Sequence, residues 1–433
     1  MRAGHHQVPG PFCCPRRYAV SGGDRAGAAG PVFRLRDIAV PAFAPSVVNA
    51  VGLGAITPVL ALLARDLGAS VGQAAFMVAL LGVGSLAGAL PAGALVARIG
   101  ERRAMVLAGV ADALALVVVA LAPSLLVLGA GIVASGMSWA VFLLARQGFL
   151  IVVAPVHLRA RAMSTLGGSH RIGGFFGPVL GGVLLAATGE LRSVFWLAAA
   201  MALLSALVVQ LAPDLTAEHE RASRVGGVRP PRVLAVLRRH RRTLVSVGSA
   251  VVVISGARSL RMVLLPLWAD HIGVSAATTS LVFGAAALVE ICLFYPAGWT
   301  MDRAGRTVVA VPVVVLIGLG ALLLPLSTDV IGFTALALLM AVGNGLGSGI
   351  VMTLGADTAP QEGRAQFLGG YRLAGDVGGL GGPLLVSGLT LLVPLAAACV
   401  AVGSLCLIGS GWVAHRVGRI ERGRRARAVQ SSG

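Results

Sequence analysis

A single offset of 205 residues maps the second half of this 433-residue chain onto the first. Gly68 and Ser70 map onto Gly273 and Ser275, Gly93 onto Gly298, Arg98 onto Arg303, and Gly100 onto Gly305. Pro155 maps onto Pro360, Arg159 onto Arg364, and Gly177-Pro178 onto Gly382-Pro383. One offset without insertion across these landmarks implies two similar bundles in one molecule. In a chain that crosses a membrane, such paired repeats are the architecture of a secondary transporter.

Membrane crossing follows from the apolar blocks. Hydrophobic residues make up 57% of the chain and charged residues 12%, against about 25% charged in soluble domains. A helical span needs roughly 20 mostly apolar residues. Twelve stretches qualify: 38–64, 73–97, 104–122, 125–153, 163–187, 191–212, 244–269, 277–298, 307–327, 330–356, 367–391 and 392–413. The expected fold is an all-α membrane protein of 12 transmembrane helices in two pseudo-twofold-related six-helix bundles, 37–212 and 244–413. Residues 1–36, rich in Gly, Pro and Arg, read as a disordered cytoplasmic tail without a signal peptide. Residues 213–243 read as a cytoplasmic linker and 414–433 as a basic cytoplasmic tail. Within the linker, Val233, Leu234, Val236 and Leu237 beside four arginines suit either a short helix on an anionic leaflet or a solvated segment.

Net charge is +18, and all 35 basic residues are arginine. Nucleic-acid binding is excluded as an expectation because the charge sits in short loops and tails between apolar blocks. The five cysteines show neither metal-ligand nor disulfide spacing. Five arginines fall within spans (Arg146, Arg171, Arg258, Arg261, Arg372), two fall on one face (Arg65, Arg192), and all others fall on the opposite one. The positive-inside rule then puts both termini in the cytoplasm. The arginine-only bias, with abundant Ala, Gly and Val, points to a GC-rich bacterial genome and hence a multi-pass inner-membrane protein.

Two loops carry a recognisable pattern. Gly93-Ala-Leu-Val-Ala97-Arg98-Ile-Gly100-Glu101-Arg102-Arg103 joins spans 2 and 3, and Gly298-Trp-Thr-Met-Asp302-Arg303-Ala-Gly305-Arg306 joins spans 8 and 9. Both resemble the G-x-x-x-D-R-x-G-R loop of the major facilitator superfamily over about 38–413. The first copy departs from it, with Ala97 where the family carries aspartate. Span 5 reads Gly173-Gly174-Phe175-Phe176-Gly177-Pro178-Val-Leu-Gly181-Gly182, similar to the G-x-x-x-G-P-x-x-G-G motif of the family's 12-span drug/proton antiporters; span 11 repeats it around Gly382-Pro383. Glycines four apart make a smooth helix face. Arg146-Gln147-Gly148 in span 4 resembles the same antiporters' arginine motif, where the arginine is implicated in proton transfer.

Ionisable residues inside spans are functional candidates. Counted inward from the proposed cytoplasmic ends, Asp112, Arg146, Arg171, Glu290 and Asp376 all lie about seven to nine residues deep, roughly 10–14 Å. They form one expected layer for proton coupling. Spans 5 and 8 meet in this family's fold, so Arg171–Glu290 is the expected bridge between halves. Arg258 and Arg261 share a face near the midplane of span 7. With Asn344 on span 10 and Asn49 on span 1 they are the expected substrate-binding residues. Paired guanidinium forks there suit a carboxylate-bearing solute.

The reading is a secondary active transporter: proton-coupled efflux of a small organic, drug-like or secondary-metabolite solute by alternating access. The alternative is uptake of a small anionic metabolite. Partners are then the solute, protons and the bilayer, and the chain acts as a monomer. No phosphate-binding loop, metal-ligand cluster or nucleophile–base pair occurs in the sequence, so neither an enzyme nor a cofactor is expected.

Overall fold

The first span is not one helix. In the computed structural model, which describes residues 39–153, 158–212, 233–347, 349–360 and 363–432, span 1 divides into α1 (Ala39–Ile56) and α2 (Leu60–Asp66). The break falls at Thr57-Pro58, because proline has no amide proton for the helix ladder. The N-terminal bundle continues with α3 (Val71–Ile99), α4 (Glu101–Ala120), α5 (Leu125–Val153), α6 (Arg159–Thr188) and α7 (Arg192–Leu211). The linker carries α8 (Val233–Arg239). The C-terminal bundle holds α9 (Arg241–His271), α10 (Ala276–Ala304), α11 (Thr307–Leu323), α12 (Val330–Leu346), α13 (Ile350–Thr358), α14 (Arg364–Leu389) and α15 (Leu395–Ser432). Span 10 is divided between α12 and α13. Residues 1–36, Cys13-Cys14 and Pro155 lie outside the described residues.

Among the described residues, eleven segments are long and apolar enough to cross a membrane, by length and composition alone. The twelfth, α14, falls short because glycines, Arg364, Arg372 and Asp376 dilute its apolar content. It still packs as a span, against α9 within its bundle and α3 across the bundles. The segment read as a basic tail continues α15 as helix to Ser432. In the linker, Val236 and Leu237 of α8 approach Gly363 and Gly370 at the start of α14, so that face is covered by protein.

The repeat in sequence becomes a repeat in packing. α1 packs on α6 and α7, α3 and α4 pack on α5, and α4 packs on α7; in the second half α9 packs on α14 and α15, α10 and α11 on α12, and α11 on α15. These are the same five pairings shifted by one bundle. The bundles meet where α6 packs on α10 and α14 on α3, an exchange of equivalent partners. The repeated landmarks turn out to be helix punctuation. Gly68 (φ 84°) and Gly273 (φ 74°) take the left-handed turn after α2 and α9, which only glycine adopts cheaply. Ser70 and Ser275 then cap α3 and α10, accepting from the amides of Gln73 (3.2 Å) and Thr278 (3.1 Å).

The glycine motif sets helix distances. A Cβ added to Gly177 would lie 2.7 Å from the Ala55 amide nitrogen, and one on Gly181 would be 3.4 Å from Ala55 Cβ. Gly173 faces Val47 and Ala50 in the same seam, so α6 rests backbone to backbone on α1. In the second half Gly382 does the same to α9, where an added Cβ would lie 2.8 Å from the Gly256 carbonyl oxygen. Gly182 instead faces Ala277 and Leu281 of α10, across the bundle boundary. Pro178 and Pro383 are buried within their helices.

The two arginines on the face opposite the termini have specific uses. Arg192 donates to the Ala120 and Ala122 carbonyls (both 3.0 Å) at the end of α4. At the other end of the same antiparallel pair, Arg102 donates to the Val209, Gln210 and Ala212 carbonyls at the end of α7 (3.3, 2.7 and 2.8 Å). Each helix thus caps the other's C-terminus with a cation, as the dipole favours. Arg65 pairs with Asp270 at 3.1 Å. The two residues are 205 apart, so repeat-equivalent positions of opposite charge meet across the pseudo-twofold axis and tie the far ends of the two bundles.

Two outcomes follow. Gly177→Ala should lower stability by about 1–3 kcal/mol through overpacking, whereas Gly174→Ala, where a Cβ meets nothing within 4 Å, should not; thermal unfolding in detergent separates them. The Arg65–Asp270 pair is partly exposed, with 36% and 39% of each side chain accessible, so it contributes at most about 1 kcal/mol. Arg65→Asp should open the far ends, read as lengthened spin-label distances between α2 and α9, and Arg65→Asp with Asp270→Arg should restore them.

Candidate functional site

Arg258 and Arg261 lie one turn apart on α9, and both face α10 and α12. The Nε of Arg258 donates to Asn344 Oδ1 at 2.6 Å. The Nδ2 of Asn344 donates to Glu290 Oε2, also at 2.6 Å. Arg261 Nη1 stands 2.6 Å from Glu290 Oε1. A guanidinium can only donate and an ionised carboxylate only accepts. The amide between them therefore has one workable orientation, with its oxygen on the arginine and its nitrogen on the glutamate. Gly345 makes the approach possible, since a Cβ there would lie 3.0 Å from Glu290 Cα. Arg261 and Asn344 are buried, and the Glu290 side chain is 12% accessible. Two guanidinium groups against one carboxylate leave this midplane cluster with one excess positive charge. Asn49 is buried on α1 in the other bundle.

The Arg171–Glu290 bridge expected from sequence is not formed. Glu290 is held by Arg261 and Asn344 of its own bundle, and Arg171 instead lies over the Phe294 ring at 4.7 Å. Phe294 is one turn from Glu290 on α10, and Arg171 remains within electrostatic reach of both Glu290 and Arg258. Spans 5 and 8 do pack together as expected; the intervening ring takes the position the carboxylate was expected to hold.

The single charged layer also dissolves. Asp112 accepts from Ser135 Oγ at 2.6 Å, and Ser135 is eleven residues from Arg146, about 16 Å along α5. Arg146 sits lower, because α5 runs past the start of α4: a Cβ on Gly148 would lie 3.1 Å from Glu101 Cγ, in the first turn of α4. Counting from helix ends fails where a helix of 29 residues overshoots a hydrocarbon core of about 30 Å. A staggered series replaces the layer. Near the termini face Arg372 of α14 donates to Gln147 Oε1 of α5 at 3.2 Å, joining the bundles. Arg146 is buried beside it, with its guanidinium 5.7 Å from the Phe142 ring centre and no hydrogen bond on Nε or Nη1. His170, against Trp139, is within electrostatic reach of Arg146 and Arg171. Asp376 is exposed on α14, one turn from Arg372. Arg171 comes next, then Arg258 and Arg261 at the midplane.

The two repeated loops hold their helices differently. Gly100 (φ 85°) and Gly305 (φ 104°) make matching turns. Gly93 and Arg98 are exposed, and Gly298 has nothing within 4 Å of a Cβ position. Asp302 is 80% accessible and 3.9 Å from Arg306 Nη1. Arg303 stacks on Trp299 at 4.3 Å. Arg306 pairs with Asp357 of α13 at 3.0 Å. Glu421 of α15 accepts from the Thr307 hydroxyl (2.9 Å) and amide (3.3 Å), placing an anion at the N-terminus of α11. Ser135, Asp357 and Glu421 carry these contacts without any motif to mark them; their only sequence signal is polarity in or beside an apolar block.

A family model described as Major Facilitator Superfamily matches residues 43–383. No curated protein matches the chain. Among solved structures, one described as "Crystal structure of a POT family transporter in complex with 5-aminolevulinic acid" superposes with a TM-score of 0.68 at 12% identity. The match covers 89% of this chain and 96% of that one, which is a likeness of fold.

Breaking the midplane cluster on one side strands a buried charge. Arg261→Met should cost about 3–5 kcal/mol, and Arg261→Met with Glu290→Met should recover most of it, because removing both ions removes the desolvation penalty. Thermal unfolding of the detergent-purified protein gives the comparison.

Proposed function

The chain belongs to the Major Facilitator Superfamily and is a secondary transporter; from that premise we propose that it exports a small organic solute carrying an anionic group in exchange for protons, by alternating access. One observation carries the reading: arginines from both bundles, Arg372, Arg146 and Arg171, then Arg258 and Arg261, step from the termini face to the midplane, where among the described residues Glu290 is the carboxylate bonded to them. Placing so many guanidinium groups within membrane spans is expensive. An anionic group offsets that expense at each step, while a cationic solute would be repelled throughout.

Glu290 is the proposed coupling acid. Ionised, it binds Arg261 directly and Arg258 through Asn344. Protonation removes the ion pair and frees both guanidinium groups for the solute's carboxylate. Proton and solute therefore bind this cluster together, which is the linkage of cotransport, and it favours a second reading, uptake of a small anionic metabolite through the same arginines. Arg146, Arg171, Asp376 and Asp112 remain candidates for proton movement; Asp112, bonded to Ser135, lies farthest from the series. Asn49 is a candidate solute contact from the opposite bundle. Export rather than uptake is supported by the likeness of Gly173–Gly182 to the antiporter motif and by its use in seating α6 on α1 and α10. The cytoplasmic position of the termini rests on the arginine distribution.

Proteoliposomes of known sidedness test the reading. An opposed proton gradient should drive small carboxylates, and not matched cations, from the termini side outward. Glu290→Gln should abolish gradient-driven transport while keeping exchange at equal pH, and Arg258→Gln should raise the half-saturating carboxylate concentration at least tenfold. Gradient-driven transport by Glu290→Gln at the wild-type rate would sink the coupling role, and preferential movement of cations would sink the anionic one.

A further inference from the structure

Outside the transport path, the C-terminal bundle carries a second cationic site. The start of α9 and the late part of α15 flank an open groove of about 390 Å³ lined by Arg241, Arg242, Val245, Ser246 and Arg416. The cleft is braced. Trp412 Nε1 donates to Ser249 Oγ at 3.1 Å, and the Arg416 guanidinium stacks on the Trp412 ring at 4.1 Å. Arg416 Nε is buried and has no hydrogen-bond partner. Neither helix offers a counter-charge. Asp270, the one acid of α9, is at its far end and pairs with Arg65; Glu421, the one acid of α15, is committed to Thr307.

The layering of the cleft identifies its occupant. α9 enters the membrane from Arg241 and α15 leaves it past Arg416; the Trp412–Ser249 bond sets Arg416 opposite Val245, about one turn below Arg241 and Arg242, so the three arginines descend one wall of the headgroup region. One turn deeper on the two helices stand Val245, 70% exposed, and Trp412, 43% exposed. Cations above an apolar strip with an interfacial tryptophan match a phospholipid: phosphate above, acyl chain below. Free phosphate needs no such strip. The cleft is also no by-product of the duplication, since α7 carries Leu207 and Leu211 at the positions equivalent to Trp412 and Arg416.

We propose that this cleft binds the headgroup of an anionic phospholipid, with the phosphate between Arg241, Arg242 and Arg416 and an acyl chain along Val245 and Trp412. The site lies outside the arginine series of the transport path, and binding there does not depend on the direction or the solute of transport.

The full chain, purified in neutral detergent, is titrated with phosphatidylglycerol, phosphatidylcholine or inorganic phosphate, and followed by native mass spectrometry and thermal unfolding. Phosphatidylglycerol should be retained as a one-to-one adduct and raise the unfolding temperature, with little effect from the other two. Arg416→Gln should weaken retention at least fivefold. Arg241→Gln with Arg242→Gln, at exposed positions that leave the fold intact, should do the same, while Arg103→Gln, exposed in the first turn of α4, should not. Equal retention of phosphatidylcholine, equal stabilisation by inorganic phosphate, or equal weakening by Arg103→Gln would overturn the proposal.

Discussion

A charge inside hydrocarbon must be given a partner, and most of what is particular to this protein follows from how its embedded arginines are provided for. Arg261 takes Glu290, and Arg258 takes Asn344, which passes the interaction to the same carboxylate. Arg171 takes the face of Phe294, and Arg372 takes Gln147. Arg146 has a ring beside it and unbonded nitrogens. The quality of provision falls from the midplane toward the termini face. In the proposed function an anionic solute supplies what is missing there, and the least satisfied arginines are the proposed path.

Duplication supplies the scaffold, and departures from it supply direction. Both bundles use the same five helix pairings and the same glycine-serine turns. Their charges differ at equivalent positions. Arg65 and Asp270 oppose each other and join; Arg171 and Asp376 oppose each other and stay apart. Cations close both ends of the α4–α7 pair, whereas an anion from α15 holds the start of α11. Rigid halves related by symmetry can rock, but only asymmetric charges give each end a different strength of closure. The partly exposed Arg65–Asp270 pair is weak, which suits a contact that opens in every cycle.

Much of the fold was legible in the chain. Span number, the paired bundles and the contact of spans 5 and 8 rest on apolar run length and on the offset, and both are local properties. The glycine seams were legible because periodicity of four fixes a helix face wherever that helix packs. The depth of Asp112 and Arg146 was not legible, because helices differ in how far they overshoot the bilayer. The partner of Glu290 was misread for a related reason. Span 5 (α6) does meet span 8 (α10), but a one-turn offset in register exchanges Glu290 for Phe294 opposite Arg171. The Arg65–Asp270 contact had its signal in the 205 offset itself, since equivalent positions near a pseudo-twofold axis are the ones able to meet.

The sequence by itself determined that the chain crosses a membrane as two repeated helical bundles, that its helices turn at Gly68, Gly100, Gly273 and Gly305, and which embedded residues carry charge. Hydrophobicity, backbone freedom and ionisability belong to each residue whatever surrounds it. Only the tertiary structure decided that Glu290 answers to Arg261 and Asn344, that Asp112 answers to Ser135, and that the arginines form a staggered series. Those outcomes depend on the relative rotation and axial shift of neighbouring helices. A shift of a few ångströms changes which side chains meet and leaves the hydrophobic pattern of either helix untouched.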